Sequence, residues 1–191
     1  MFVKPSGPRH TVTEQADSLV FRIPPKRNIF MLGFLTLWLG GWVVGELMAP
    51  IGFFTAVQKN PGAAVFMLVW FCFWTVGGAF AIYTWLWLVK GCEVVTISAT
   101  ALSIKNEIFR YGRTKHYDVS EIRDLRISPL VYNPYDFRSG LAFWGIGGGA
   151  IAFDYGFKTY RFGAGVDEAE ARLILQTITS RLPQFVDASD T

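Results

Sequence analysis

Charge is scarce in this 191-residue chain. Only 17% of its residues are Asp, Glu, Lys or Arg, against 51% that are hydrophobic, too apolar a balance for a soluble protein unless the excess is gathered into membrane spans. Histidine and cysteine are scarcer still, at two each. Cys72 lies inside an apolar run and Cys92 just after it, too far apart for a metal-binding pair, and both are expected as free thiols. His10 falls in an N-terminal tail with no predicted element, and His116 stands alone beside Lys115. No Ser/His/Asp, Cys/His or zinc-ligand set can be argued from these positions, so no catalytic residue, metal ligand or cofactor is expected. The net charge of +3 is mild and the basic residues form no single run, which argues against nucleic acid as a partner. Met1–Pro25 has no apolar core, so no secretory signal peptide is expected there.

What the chain does have is two long apolar runs. Ile29–Ala49 holds one charge, Glu46, and Ala63–Val89 holds none. At about 1.5 Å of rise per residue, either run is long enough as a helix to cross a hydrocarbon core of about 30 Å. Two such runs in so short a chain leave too little protein to cover them. The expectation is a transmembrane hairpin over residues 28–90, with spans at 29–49 and 63–89 and a connector from Pro50 to Gly62. Lys4, Arg9, Arg22, Lys26 and Arg27 precede the first span and Lys90 follows the second, whereas the connector carries only Lys59. Positive flanks stay on the cytoplasmic side, so both termini are expected there. Arg22, Lys26, Arg27 and Lys90 are the expected contacts with anionic lipid.

Gly41 with Gly45, and Gly77 with Gly78, mark places where helix backbones can approach, either within the hairpin or against a partner's helix. Glu46 is costly inside a span. It lies within a turn of the expected span end, which leaves three readings: snorkelling to the interface, a polar contact with a partner, or a path for protons or ions.

From Cys92 the pattern changes to alternation with period two, the mark of strands with one buried face. Val95 and Ile97 alternate with Thr96 and Ser98, and Leu102 and Ile104 with Ser103 and Lys105. Further strands are predicted at Glu107–Tyr111 and Thr114–Val119 about a turn at Gly112, at Glu121–Ser128, and at Ala150–Tyr155 and Phe157–Phe162 about Gly156. Ser18–Ile23 also alternates and can add an N-terminal strand. Ala171, Ile174, Leu175, Ile178 and Leu182 recur at helical spacing behind an acidic capping box of Asp167 and Glu170, and Pro183 ends the helix. The expected organisation is an N-terminal cytoplasmic segment over 1–27, the hairpin, a cytoplasmic domain over 91–185 and a disordered tail over 186–191.

Val94–Ile104 (VVTISATALSI), the Gly112–Arg113 turn with Val119–Leu125 (VSEIRDL), Ala150–Gly156 (AIAFDYG) and Arg161–Leu173 (RFGAGVDEAEARL) carry a likeness. From Asn28 onward the chain resembles the bacterial membrane-anchored PH-like proteins, in which two apolar helices lead into a pleckstrin-homology-like domain. The resemblance implies an α+β membrane protein of the bacterial inner membrane: a transmembrane hairpin, then a PH-like antiparallel β-barrel or sandwich of about seven strands capped by a C-terminal helix. Lys105, Arg110, Arg113 and Lys115 are the nearest candidates for a head-group site, with Glu107 and Asp118 interrupting the positive field.

Pro129–Gly149 is too long for a hairpin loop and carries Tyr132, Tyr135, Phe137, Phe143 and Trp144. These aromatics are the expected partner-binding surface, with docking on the membrane and folding back over the domain as the other readings. Gly145–Gly149 lacks the Lys-Ser/Thr of a phosphate loop. The expected function is a non-catalytic accessory or assembly subunit of an inner-membrane complex, with a larger integral membrane protein and lipids as partners. The alternative is a membrane-tethered PH-like module that binds a lipid, peptide or small ligand.

Overall fold

A computed structural model describes residues 10–15, 17–128 and 148–181. The chain divides into two units, Arg27–Val89 and the combination of Met1–Lys26 with Lys90–Thr191.

The first unit is a pair of helices. Asn28 starts α1 (Ile29–Lys59) by accepting hydrogen bonds at Oδ1 from the N–H groups of Phe30 and Met31, at 3.0 and 3.2 Å. The helix does not stop at Ala49. It runs through Pro50 to Lys59, so the expected connector over 50–62 shrinks to Asn60. A proline inside a helix removes one backbone donor, a loss that apolar helices of this kind tolerate. What ends α1 is the next proline, because the residue before Pro61 is pushed out of the helical region; Asn60 has φ −154° and ψ 100°. Its Oδ1 then accepts from the N–H groups of Gly62 and Ala63, starting α2 (Pro61–Lys90) with proline in the first helical position. Both helices are long and apolar enough to cross a membrane. Little of that apolar surface is covered: Leu35 is the one buried residue of α1, and Phe30 is 91% exposed.

The second unit is β-rich, and the helical pair is inserted into its sheet. β1 (Thr11–Gln15) and β2 (Ser18–Ile23) precede α1, whereas β3 (Gly91–Ser98), β4 (Ala101–Ile108) and β5 (Tyr111–Asp118) follow α2. These five form one antiparallel sheet in the order β1-β2-β3-β4-β5. Ile23 therefore pairs with Glu93, and the chain leaves for the helices and returns from them at adjacent strands. β6 (Ile122–Ile127), β7 (Ile151–Tyr155) and β8 (Lys158–Phe162) form a second antiparallel sheet, and α3 (Glu168–Arg181) closes the described chain. The described residues thus hold eight strands in two open sheets. They do not form one closed barrel.

Alternation places the core as its pattern suggests. Phe21, Val95, Ile97 and Leu102 face inward from the large sheet, Ile151, Phe153 and Phe162 from the small one, and Ala171, Ile174 and Ile178 from α3. Tyr117 packs edge-on against Phe153 at 5.1 Å between ring centroids, a favoured aromatic geometry. Asp167 caps α3, its Oδ1 accepting from the N–H of Glu170 at 2.8 Å.

Two local expectations are corrected. Glu107–Tyr111 is not a strand of its own, and the turn is not at Gly112: β4 runs to Ile108, and Phe109 and Arg110 make the turn with φ of 51° and 72°. Gly112 sits inside β5 for a steric reason, since a Cβ there would lie 1.9 Å from the carbonyl oxygen of Asn106. His10, expected in a tail, is tied down instead. Its backbone N–H donates to Glu170 Oε1 at 2.9 Å and its Nδ1 lies 2.6 Å from the same oxygen.

Candidate functional site

Besides the bond from Trp85 Nε1 to Thr36 Oγ1 at 2.9 Å, several polar contacts of the helical unit lie about one level. Because α1 extends to Lys59, Glu46 lies near its middle and not a turn from its end. The carboxylate faces α2: Thr75 Oγ1 donates to Glu46 Oε1 at 2.8 Å, while Glu46 Oε2 is buried with no hydrogen-bond partner among the described residues. The snorkelling expectation is thereby replaced by an interhelical hydrogen bond. Trp42 Nε1 donates to the Trp74 carbonyl at 3.2 Å, and the Trp74 indole N–H is buried without a partner among the described residues. The Trp74 ring stacks on Trp70 at 5.0 Å and leans on Trp38 at 5.9 Å.

The glycines divide. A Cβ on Gly78 would lie 2.0 Å from the Trp42 indole, and one on Gly45 would lie 3.2 Å from Trp74. Nothing stands within 4 Å of the corresponding place at Gly41 or Gly77. The helices meet through indoles laid over Gly45 and Gly78, so the close approach is between ring and backbone.

In the β unit, two buried carboxylates lie on opposite faces of the large sheet near the end where the chain meets the helices. Glu93 follows the inward register of Val95 and Ile97 and is fully enclosed. Its Oε2 accepts the N–H groups of Gly163 at 2.8 Å and Ala164 at 3.1 Å. Burial pushes its carboxyl up to about 7, against the opposing pull of those two hydrogen bonds. Glu107 lies on the outer face, opposite Cys92. It takes a charge-assisted hydrogen bond from Arg22 and an ion pair from Lys105 at 2.9 Å. Burial alone would raise this carboxyl, but Lys105 and Arg22 outweigh it and hold Glu107 below its ordinary value. The same burial pushes the Cys92 thiol up, partly offset by Arg22.

The basic residues read from the sequence as lipid contacts have different placements. Lys26 and Lys90 are exposed. Arg22 is committed to Glu107, and Arg27 donates to the Val89 carbonyl at 3.1 Å, satisfying an end of α2. Tyr132, Tyr135, Phe137, Phe143 and Trp144 lie outside the described residues, as do Leu182, Pro183 and the 186–191 segment. Among the described residues no group of three or more His, Cys, Asp or Glu side chains is placed to hold a metal ion.

Sequence reasoning missed Glu93 and the His10–Glu170 pair. A signal for Glu93 was available, since it occupies an inward position of an alternating strand. The pair joins residues 160 apart, and no local pattern marks it.

These features define an α+β protein in which two long apolar helices are inserted into an antiparallel sheet. No protein-family model and no curated protein matches the chain.

Proposed function

We propose that the chain is a membrane-anchored, PH-like, non-catalytic accessory or assembly subunit of a larger integral membrane complex in the bacterial inner membrane. The observation that carries this reading is the helical unit, which leaves its apolar side chains uncovered on nearly all sides while turning Glu46 and two indole N–H groups inward. Such a surface suits lipid or another protein's helices, and a water-facing helix pair would be built the other way round.

Three further features support it. The β2–β3 pairing brings the chain back beside the strand it left, in keeping with a hairpin whose two ends share one side of a bilayer. Exposed Lys26 and Lys90 stand at those ends, in keeping with a cytoplasmic location. Among the described residues the large sheet also ends in two edge strands: β1 is exposed throughout and β5 at every residue except Tyr117. Open edges invite pairing with another chain.

The two sheets and terminal helix suit a PH-like sandwich. Phe21, Phe153 and Phe162, each fully buried, fill its interior, which favours a docking subunit over a module that encloses a ligand. Extraction from native membranes in mild detergent, followed by native mass spectrometry, tests the reading. A stoichiometric complex with an integral membrane protein is the expected result. A lone chain carrying a bound lipid or peptide would overturn it in favour of the tethered binding module.

A further inference from the structure

The tip of the β4–β5 hairpin violates a local rule. A two-residue turn of this type needs left-handed backbone at both central positions, which Asn-Gly adopts with little strain; here Phe109 and Arg110 adopt it, at φ 51° and 72°. Neither aromatic at the tip is sheltered in the core, Phe109 being 55% exposed and Tyr111 86%. The turn is braced from behind. Lys105 Nζ donates to the Arg110 carbonyl at 2.8 Å, and Glu107 holds Lys105 and Arg22 in place. Strained backbone that its surroundings brace in this way points to a use for the side chains it projects.

Register locates the tip. Gly91, the first residue after α2, pairs with Ile108, so Phe109 to Tyr111 stand at the end of the sheet where the chain arrives from the helices. Exposed Lys26 and Lys90 belong to the same end. The fully exposed Phe157, at the β7–β8 turn, lies at the other end of its strand: β8 finishes beside Gly163, which is bonded to Glu93, and Phe157 is about 17 Å back along β8 at 3.3–3.4 Å per residue.

Resting on the membrane reading above, we infer that Phe109, Arg110 and Tyr111 form a second membrane contact, with both rings at head-group level of an anionic bilayer and Arg110 on its phosphates. Aromatic rings favour that interface, and a basic side chain there gains from anionic lipid of any head group. The contact would fix the β unit against the surface without recognising one lipid.

The test uses the full chain in vesicles of phosphatidylcholine, alone or mixed with phosphatidylglycerol or phosphatidylserine. An environment-sensitive dye is attached at Phe109→Cys or Phe157→Cys in a Cys72→Ser, Cys92→Ser background, or at native Cys72 with Cys92→Ser. With either anionic lipid, the dye at position 109 should be quenched by nitroxide-bearing lipid and shielded from aqueous iodide, and the dye at 157 should be quenched by iodide alone. Because both positions begin as exposed phenylalanines, the dye's own affinity for lipid cannot separate them. Arg110→Gln should lower the anionic-lipid preference at position 109 about fivefold, the equivalent of about 1 kcal/mol per basic residue at such a surface.

If positions 109 and 157 behave alike while Cys72 is quenched from the lipid, the tip contact is overturned and the membrane reading stands. If Cys72 is itself open to iodide, both fall. Equal shielding at position 109 in neutral and anionic vesicles would overturn the role given to Arg110.

Discussion

The two units of this chain are built inside out with respect to each other. In the helical pair the large apolar side chains point outward and the polar atoms inward, with Glu46 bonded to Thr75 and Trp42 to the Trp74 carbonyl. In the β unit the rings of Phe21, Phe153 and Phe162 are sealed inside, and most charged side chains lie on the outside. On the membrane reading, each arrangement minimises free energy in a different surrounding medium. Apolar burial drives folding only where the alternative is water, whereas in hydrocarbon an unpaired polar atom becomes the expensive feature. The contrast teaches that the exceptions inform most: a carboxylate buried in the β unit, and an exposed ring there.

Perturbations that respect this contrast should have effects confined to one unit. The largest is Phe153→Ala. Removing a fully buried ring should cost about 3–5 kcal/mol in chemical denaturation of the β unit, while circular dichroism of the helical pair in detergent persists. Loss of both together would mean that the units are one cooperative body.

Next comes pH. Between the ordinary carboxylate value of 4.5 and about 7, Glu93 keeps its proton when folded and loses it when unfolded. The folded state then binds the extra proton, so stability is greatest below that window and falls as pH rises through it, by about 3 kcal/mol at 1.36 kcal/mol per pH unit. Glu93→Gln should flatten this part of the stability profile measured by denaturation at successive pH values. An unchanged slope would remove Glu93 as its source.

A smaller effect is expected within the helical pair. Gly78→Ala should force the Trp42 ring away and weaken helix association by about 1–3 kcal/mol, the usual range for overpacking, whereas Gly77→Ala should be nearly silent. Spin labels on the two helices would read the difference. If both substitutions act equally, the indole-over-glycine contact does not hold the pair.

The smallest change has the opposite sign. Phe109→Gly should stabilise the β unit by about 0.5–1 kcal/mol, since relief of a left-handed residue slightly exceeds glycine's added chain entropy. A loss of stability would show that the exposed ring has a structural role.

Much of this was visible before the fold. The apolar runs need no tertiary information to be read as helices, and alternation over Val95–Ser98 and Leu102–Lys105 marks two strands. The same rules failed where two local signals competed. Pro50 looked like a helix end, yet apolar residues continued beyond it and the Asn60–Pro61 step ended the helix. Glycine is the usual turn residue, so Gly112 drew the turn away from Phe109 and Arg110; its own requirement, clearance from the Asn106 carbonyl, depends on the neighbouring strand. Glu46 lies near the middle of α1 for the same reason, since the helix continues past Pro50.

By itself, then, the sequence determined where the chain is helical and apolar, where it alternates, and that its charges are sparse, because periodicity and hydropathy are properties of neighbours along the chain. Only the tertiary structure decided that β2 crosses to β3, that Glu93 holds the Gly163–Ala164 backbone, and that His10 closes on Glu170. Those contacts join residues from about 70 to 160 positions apart. Closing such long loops is favoured only when the whole core forms at once.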